Sequence, residues 1–146
     1  MKKFIILLSL ALIPLAVHGQ GISFATLTAP SSVASGSTTN LTPTVANAVD
    51  VSQFITYAKP LGRLQISGTT SGTGSIKVTL VTSADGTNWD ATTNSLIYLT
   101  GIVSGGKLNI SDTFNLAGIK YLAVGQIVNT PSVTLSSLVI KVAGNP

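Results

Sequence analysis

Apolar and polar residues alternate with a period of two along much of the chain. Leu64 and Ile66 alternate with polar neighbours, and Ile76, Val78 and Leu80 form a second such row. Successive side chains of a β-strand point to opposite faces of its sheet, so this alternation predicts strands with one buried face. Valine, isoleucine and threonine, which favour the pleated backbone, are abundant, and no stretch after residue 19 keeps a helical apolar period.

Two runs add detail to this pattern. Residues 96–103 are nearly continuously apolar, which is typical of a central strand buried on both faces. Near the C-terminus, Leu135 and Leu138 have opposite parity. A β-bulge at residues 136–137 is therefore predicted, because one extra residue would restore a single inward face.

Turn signals separate these runs at the spacing of a sandwich or barrel. Residues 68–74 (GTTSGTG) are expected to form a flexible hairpin loop, and Asp85-Gly86 is a turn dipeptide, since glycine accepts positive φ. Gly105-Gly106 and residues 129–131 break the later strands. The sequence therefore predicts an all-β fold of seven or eight antiparallel strands in a two-sheet sandwich over residues 45–146.

The first twenty residues (MKKFIILLSLALIPLAVHGQ) have the layout of a secretory signal peptide. Lys2 and Lys3 precede an apolar run of 14 residues, and small residues around Gly19 suit cleavage. The run is short for a bilayer span. We interpret residues 1–19 as a signal peptide and expect export to the medium, the cell surface or a virion, with a retained hydrophobic anchor as the alternative.

Residues 20–44 are interpreted as an N-terminal strand followed by a linker. Residues 30–44 (PSSVASGSTTNLTPT) are rich in Ser, Thr and Pro and indicate a flexible linker or long loop. A tethered strand can pair with its own domain, which is the commoner case, or with a neighbour's sheet edge. Our hypothesis is that residues 21–29 cross to a neighbouring copy, with self-association through Ile22, Phe24 and Thr26.

The charge content is low. Charged residues make up 8% of the chain, against roughly 25% in an average soluble protein. Six of the eight Lys and Arg residues are scattered singly after the leader, without interleaved aromatics, so we expect no nucleic-acid partner. A strand-rich surface of Ser, Thr, Asn and Gly favours association, because charge normally keeps strand edges apart.

Residues for catalysis are scarce. The chain has no cysteine or glutamate, and its one histidine, His18, lies in the leader. Asp85 and Asp90 share one short loop instead of facing each other across a cleft, as a glycosidase pair would. The sequence also has no nucleophile elbow, phosphate-binding glycine loop or pair of metal-ligating histidines. We therefore expect a protein that is not an enzyme.

Four stretches taken together resemble a known group of modules. In order and turn chemistry they resemble the discoidin-like, jelly-roll β-sandwich modules of phage virion and tail proteins and of secreted bacterial surface proteins. The resemblance covers about residues 45–142. It implies a jelly-roll-like sandwich without catalytic activity, used for assembly or for binding surface glycans. The stretches are residues 49–52 (VDVS), 64–68 (LQISG), 83–89 (SADGTNW) and 118–124 (GIKYLAV).

The loop of residues 85–90 is the main candidate site. Asp85, Asn88 and Asp90 supply hard oxygen atoms that Ca²⁺ could bind, but six to eight ligands are needed and no glutamate is available to close the site. The favoured interpretation is a turn in which Asp85 and Asn88 bond local backbone N–H groups, with no metal or other cofactor.

Trp89, the only tryptophan, closes the same loop. It could stack on a sugar, but a residue of its size more often plugs the end of a sandwich core. The sequence thus favours a non-catalytic structural subunit of a virion or surface assembly, whose partners are its own copies or other surface proteins. The alternative is a monomeric, secreted carbohydrate-binding or adhesion module with a cell-surface glycan as partner.

Overall fold

The computed structural model describes residues 23–53, 55, 59–70, 72–103, 106–130 and 134–144. Within these ranges ten strands form two antiparallel sheets that pack face to face, which confirms the predicted all-β sandwich. Two short 3-10 turns, Val45–Asn47 and Val51–Gln53, lie between strands. The predicted signal peptide of residues 1–19 and Ile22 lie outside the described residues.

The strands vary greatly in length, from two residues to ten. They are β1 (Ser23–Leu27), β2 (Ser32–Val33), β3 (Thr38–Asn40), β4 (Val49–Asp50), β5 (Leu61–Thr70), β6 (Gly74–Ser83), β7 (Tyr98–Val103), β8 (Lys107–Asn115), β9 (Tyr121–Asn129) and β10 (Leu135–Gly144).

Each sheet has one edge made of two short strands. Sheet A has the order β1-β10-β5-β8, with β2 also on β10, and sheet B has the order β3-β9-β6-β7, with β4 also on β9. Counting β1 with β2 and β3 with β4 gives eight strands, in the order 1-8-3-6 in sheet A and 2-7-4-5 in sheet B. This is the strand order of a jelly roll.

The segment predicted as a flexible linker is paired to both sheets. Val33 of β2 pairs with Leu135, and Thr39 of β3 pairs with Ile127. The chain passes from sheet A to sheet B between these strands, where Ser37 Oγ donates a hydrogen bond to the Ala34 carbonyl. Ser and Thr are suited to such an edge, because one backbone edge and the outer face remain in water, while Val33 is buried in the core and Leu41 packs against it.

The core lies between the two sheets and follows the alternation seen in the sequence. On β5, Leu64 and Ile66 are buried while Arg63 and Gln65 face water. Buried side chains from sheet B, among them Leu80 and Ile127, pack against them in one cluster. Each such side chain contributes about 1.5–3 kcal/mol through the surface it removes from water.

The predicted bulge is confirmed on β10. The pairing of β10 with β5 shifts register between Ser136 and Val139, and Ser137 has a φ of 51°. As a result Leu135 and Leu138, which have opposite parity, are both buried.

Two expectations were wrong. Residues 68–74 do not close a hairpin, because β5 pairs with β10 and β8 whereas β6 pairs with β9 and β7. The connection between β5 and β6 instead passes from one sheet to the other. Turn residues mark where a chain reverses, but they do not specify whether the flanking strands pair.

The second error concerns residues 96–103, which form an edge strand and not a central one. Among the described strands β7 pairs only with β6, and Ile102 on its outer face is 79% exposed. On its inner face, a Cβ added at Gly101 would collide with Ile110 of β8. β7 therefore packs closely against the edge of the opposite sheet, which explains its apolar inner side but not its apolar outer side.

The loop of residues 84–97 covers part of the outer face of sheet B. The Asp90 N–H donates to the Thr82 carbonyl at 3.0 Å, which holds the loop against β6. A Cβ at Gly125 would lie 2.6 Å from Cγ2 of Thr92. Val81 and Ala123, which pair across the outer face, are consequently buried.

Candidate functional site

The turn at residues 85–88 is organised by the carboxylate of Asp85. The backbone N–H groups of Thr87 and Asn88 both donate to its Oδ1 at 2.8 Å, and Asn88 Nδ2 donates to Oδ2 at 2.7 Å. Ser83 Oγ donates a further bond at 3.1 Å. Gly86 follows with a φ of 80°, as the turn dipeptide predicted.

These donors set the charge state of Asp85. The backbone N–H of Asn88, then that of Thr87 and the side-chain amide of Asn88, hold the pKa of Asp85 well below its usual range. A carboxylate that accepts several hydrogen bonds is stabilised in its charged form. Both carboxylate oxygens of Asp85 and the side-chain nitrogen of Asn88 are therefore engaged in hydrogen bonds within the turn.

The third candidate for an oxygen ligand, Asp90, is bound elsewhere. Thr82 Oγ1 donates to Asp90 Oδ2, so Asp90 is attached to β6 and not to the Asp85 turn. In the described ranges, no three His, Cys, Asp or Glu residues come close enough together to hold a metal ion.

Trp89 anchors the loop to sheet B. Its ring lies 6.5 Å from that of Tyr121, centroid to centroid, at an angle of 45°. Its Nε1 donates to the Gly86 carbonyl at 3.2 Å. The indole is half-buried, and its polar nitrogen is used within the loop.

Two of the three residues predicted for self-association, Phe24 and Thr26, lie on the outer side of β1. Phe24 is 64% exposed and Thr26 is also exposed, whereas Leu27 at the end of the strand is buried. β1 pairs with β10 of its own chain, and Lys141 Nζ lies 5.0 Å above the Phe24 ring.

Sequence reasoning missed the outer face of β7. Tyr98 and Ile102 share one parity on β7 and are 48% and 79% exposed, and Leu96, just before the strand, is 87% exposed. Together with β6, Tyr98 lines a shallow groove of about 420 Å³. The signal was present in the sequence, since Lys77 and Thr79 share a parity on β6, but only the pairing of β6 with β7 places them beside Tyr98.

Comparison with known proteins assigns no family to the chain. No family model and no curated relative matches the chain. A chain of the Bacillus endospore appendages, described as a novel family of disulfide-linked pili, shares 9% identity over 85% of this chain and 88% of its own length, with a TM-score of 0.36. This likeness supports no conclusion about function. Among the described residues, no helix is long and apolar enough to cross a bilayer.

Proposed function

We propose that the protein is a non-catalytic structural subunit of an extracellular surface assembly or a virion, and that its copies associate through the N-terminal strand. The observation that carries this proposal is the position of β1. It is a strand of five residues at the edge of sheet A, bonded to β10, and the short stretch of residues 28–31 separates it from β2.

Exchange of β1 between copies conserves its contacts. Leu27 enters the core and Ala25 packs against it from a half-buried position. The same strand placed on β10 of a neighbour would bury the same side chains in the same register, because the inward position of Leu27 fixes that register. Exchange of an identical element is a low-cost route to association for this reason.

The surface of β1 lacks the usual protection of an edge strand. Natural edges are protected from pairing by lysine, proline or a bulge, and the SFATL sequence of β1 contains no proline or charged residue. The exposed Phe24 beside this edge adds apolar surface that a neighbouring copy would cover.

A disulfide test can detect exchange directly, because the chain has no native cysteine. Thr26 and Lys141 are paired on the outer face, and paired Cα atoms in antiparallel strands lie about 4.5–5.5 Å apart, within reach of a disulfide. After oxidation of the T26C/K141C variant, we expect disulfide-linked species larger than a monomer on a non-reducing gel.

The matched control is Q65C/S111C, a pair between the long central strands β5 and β8. This pair is expected to close within one chain and to run as a monomer. If T26C/K141C also runs only as an internally bonded monomer, exchange of β1 is ruled out. Deletion of residues 20–40 is a poorer test, because it would also remove β2 and β3.

The exposed apolar residues on β7 and just before it offer a second way to identify the interface. The L96T/I102T variant removes apolar surface at two positions that are 87% and 79% exposed. Light scattering is expected to show the same assembled mass as for the unmodified protein. Loss of the assembled species in this variant would assign the interface to β7 and contradict the proposal for β1.

A further inference from the structure

The groove on the outer face of sheet B has the size of a ligand site. It measures about 420 Å³, and small-molecule sites commonly measure about 300–1,000 Å³. Strands β6, β7 and β9 form its floor, and the loop of residues 84–97 forms one wall. Its seven lining residues are Lys77, Thr79, Thr92, Thr93, Ser95, Tyr98 and Gln126.

Three hydroxyl groups in this groove have no hydrogen-bond partner among the residues that the structure describes. Thr79 is only 3% exposed, yet within the described part of the chain its Oγ1 takes part in no hydrogen bond, and neither do the hydroxyls of Thr92 and Thr93. Of the three, Thr79 is buried, Thr92 is half-buried and Thr93 is exposed. A buried hydroxyl costs free energy unless water or a ligand bonds to it, and this applies to Thr79. These three threonines therefore offer donors and acceptors to whatever occupies the groove.

An aromatic ring is fixed beside these hydroxyls. Tyr98 is 48% exposed, and Lys77 Nζ lies 4.7 Å from its ring centroid. The cation holds the ring in place while half of the side chain stays open to solvent. Gln126, whose Nε2 donates to Asn40 Oδ1 at 2.8 Å, is likewise held in a defined orientation.

We propose that this groove binds a saccharide, which lies on the Tyr98 ring and exchanges hydrogen bonds with Thr79, Thr92 and Thr93. A sugar matches both features, since it presents hydroxyls at its edges and C–H groups on its faces. None of the lining residues is acidic and one is basic, which argues against a cationic ligand. The sparse apolar lining argues against a lipid-like ligand.

This site differs from the one that the sequence suggested. Trp89 does not line the groove, and its ring and nitrogen are engaged with Tyr121 and Gly86. The groove is on sheet B, whereas β1 belongs to sheet A. Saccharide binding is therefore independent of strand exchange and can hold or fail separately.

The test is a titration of the ¹⁵N-labelled protein with three soluble hexasaccharides, of glucose, of N-acetylglucosamine and of galacturonic acid. We expect at least one to shift the backbone amide signals of residues 77–79, 92–98 and 126. The uronic acid tests the charge of Lys77, because K77Q is expected to weaken binding of the acidic sugar more than binding of the two neutral sugars, which feel only the loss of the Lys77 contact with the Tyr98 ring.

Variants then link binding to the groove. Y98A is expected to weaken binding about tenfold or more through loss of the stacking face, and T93A, which changes an exposed residue, should weaken it by a smaller factor. The control is T100A, on the same outward row of β7 but outside the groove lining. The melting temperature of each variant verifies folding, and T93A keeps the test valid if Y98A unfolds.

Three outcomes would overturn the proposal. One is the absence of any shift with all three hexasaccharides at about 10 mM, because a dissociation constant above that concentration would be too weak for a specific site. A second is a set of shifts confined to residues 85–90, accompanied by a change in Trp89 fluorescence. A third is binding that T93A and Y98A leave unchanged.

Discussion

The two sheets have similar inner faces but different outer faces. The outer face of sheet A is open and polar, and its side chains bond to each other across strands. Arg63 Nη2 donates to Ser111 Oγ at 2.9 Å, and Gln65 Nε2 donates to Asn109 Oδ1 at 3.2 Å. The outer face of sheet B is partly covered by the loop of residues 84–97, which leaves the groove beside it.

The difference can be traced to single strands. β5 in sheet A alternates strictly between buried and exposed positions over residues 61–66, whereas β6 in sheet B is buried at four consecutive positions, residues 78–81. A strand with both faces buried need not lie between two other layers of sheet. Here the loop of residues 84–97 covers the outer face of β6, and the same loop forms one wall of the groove.

The largest effect is expected where this loop meets the sheet. A Cβ at Gly125 would lie 2.6 Å from Thr92 Cγ2 and 2.7 Å from Val81 Cγ1. G125V should therefore lower the free energy of unfolding by about 1–3 kcal/mol, as overpacking commonly does. Urea denaturation measures the change.

The control adds similar bulk to the uncovered face. Ser67 shares the outward parity of Arg63 and Gln65 on β5. S67V is expected to change the free energy of unfolding by no more than about 0.5 kcal/mol. Equal losses in the two variants would mean that the loop does not pack on sheet B.

The next effect compares an aromatic residue in the loop over sheet B with an aromatic residue on sheet A. Trp89 contacts Tyr121 and bonds to the loop backbone, so W89A is expected to cost about 2 kcal/mol, less than the 3–5 kcal/mol of a fully buried aromatic. Phe24 is 64% exposed on sheet A, and F24A should cost less than about 1 kcal/mol. Thermal denaturation measures both losses of stability. A larger loss in F24A than in W89A would contradict the conclusion that Trp89 anchors the loop to sheet B.

The smallest effect concerns pH. Because hydrogen bonds lower the pKa of Asp85 in the folded protein, its contribution to stability is fully present above the unfolded value of about 3.9. That contribution is lost as the pH falls from there towards the lower folded value. D85N should therefore flatten the decline in melting temperature below about pH 4.

A matched variant for the pH series is D112N on β8, in sheet A. The Asp112 carboxylate accepts one backbone hydrogen bond, from Thr113 at 2.7 Å. We expect D112N to keep more of the acid dependence than D85N. The same flattening in both variants would show that the turn at Asp85 has no special role.

Sequence patterns predicted the parts of this fold that depend on local chemistry. The alternation at Leu64 and Ile66 identified the buried face of β5, and the parity change between Leu135 and Leu138 located the bulge. Both signals arise within one strand, so they need no knowledge of its neighbours.

Features that depend on strand pairing could not be predicted in this way. The exposure of Ile102 follows from the edge position of β7, and periodicity alone does not reveal that position. The groove combines Lys77, Thr92 and Gln126, which come from three separate segments. In contrast, Asp85, Asn88 and Trp89 are close in sequence, and for that reason they were chosen as candidate site residues. In the structure their hydrogen bonds hold the turn and its loop together.

The pairing of Ser23 with Gly144 has a mechanical consequence. The first and last described residues are neighbours on adjacent antiparallel strands. A pulling force applied through them would therefore separate β1 from β10 one residue pair at a time. If β1 is exchanged and the copies are pulled apart along the strand axis, all five pairs bear the load at once. Exchange would thus change the load on this pairing from peeling to shear.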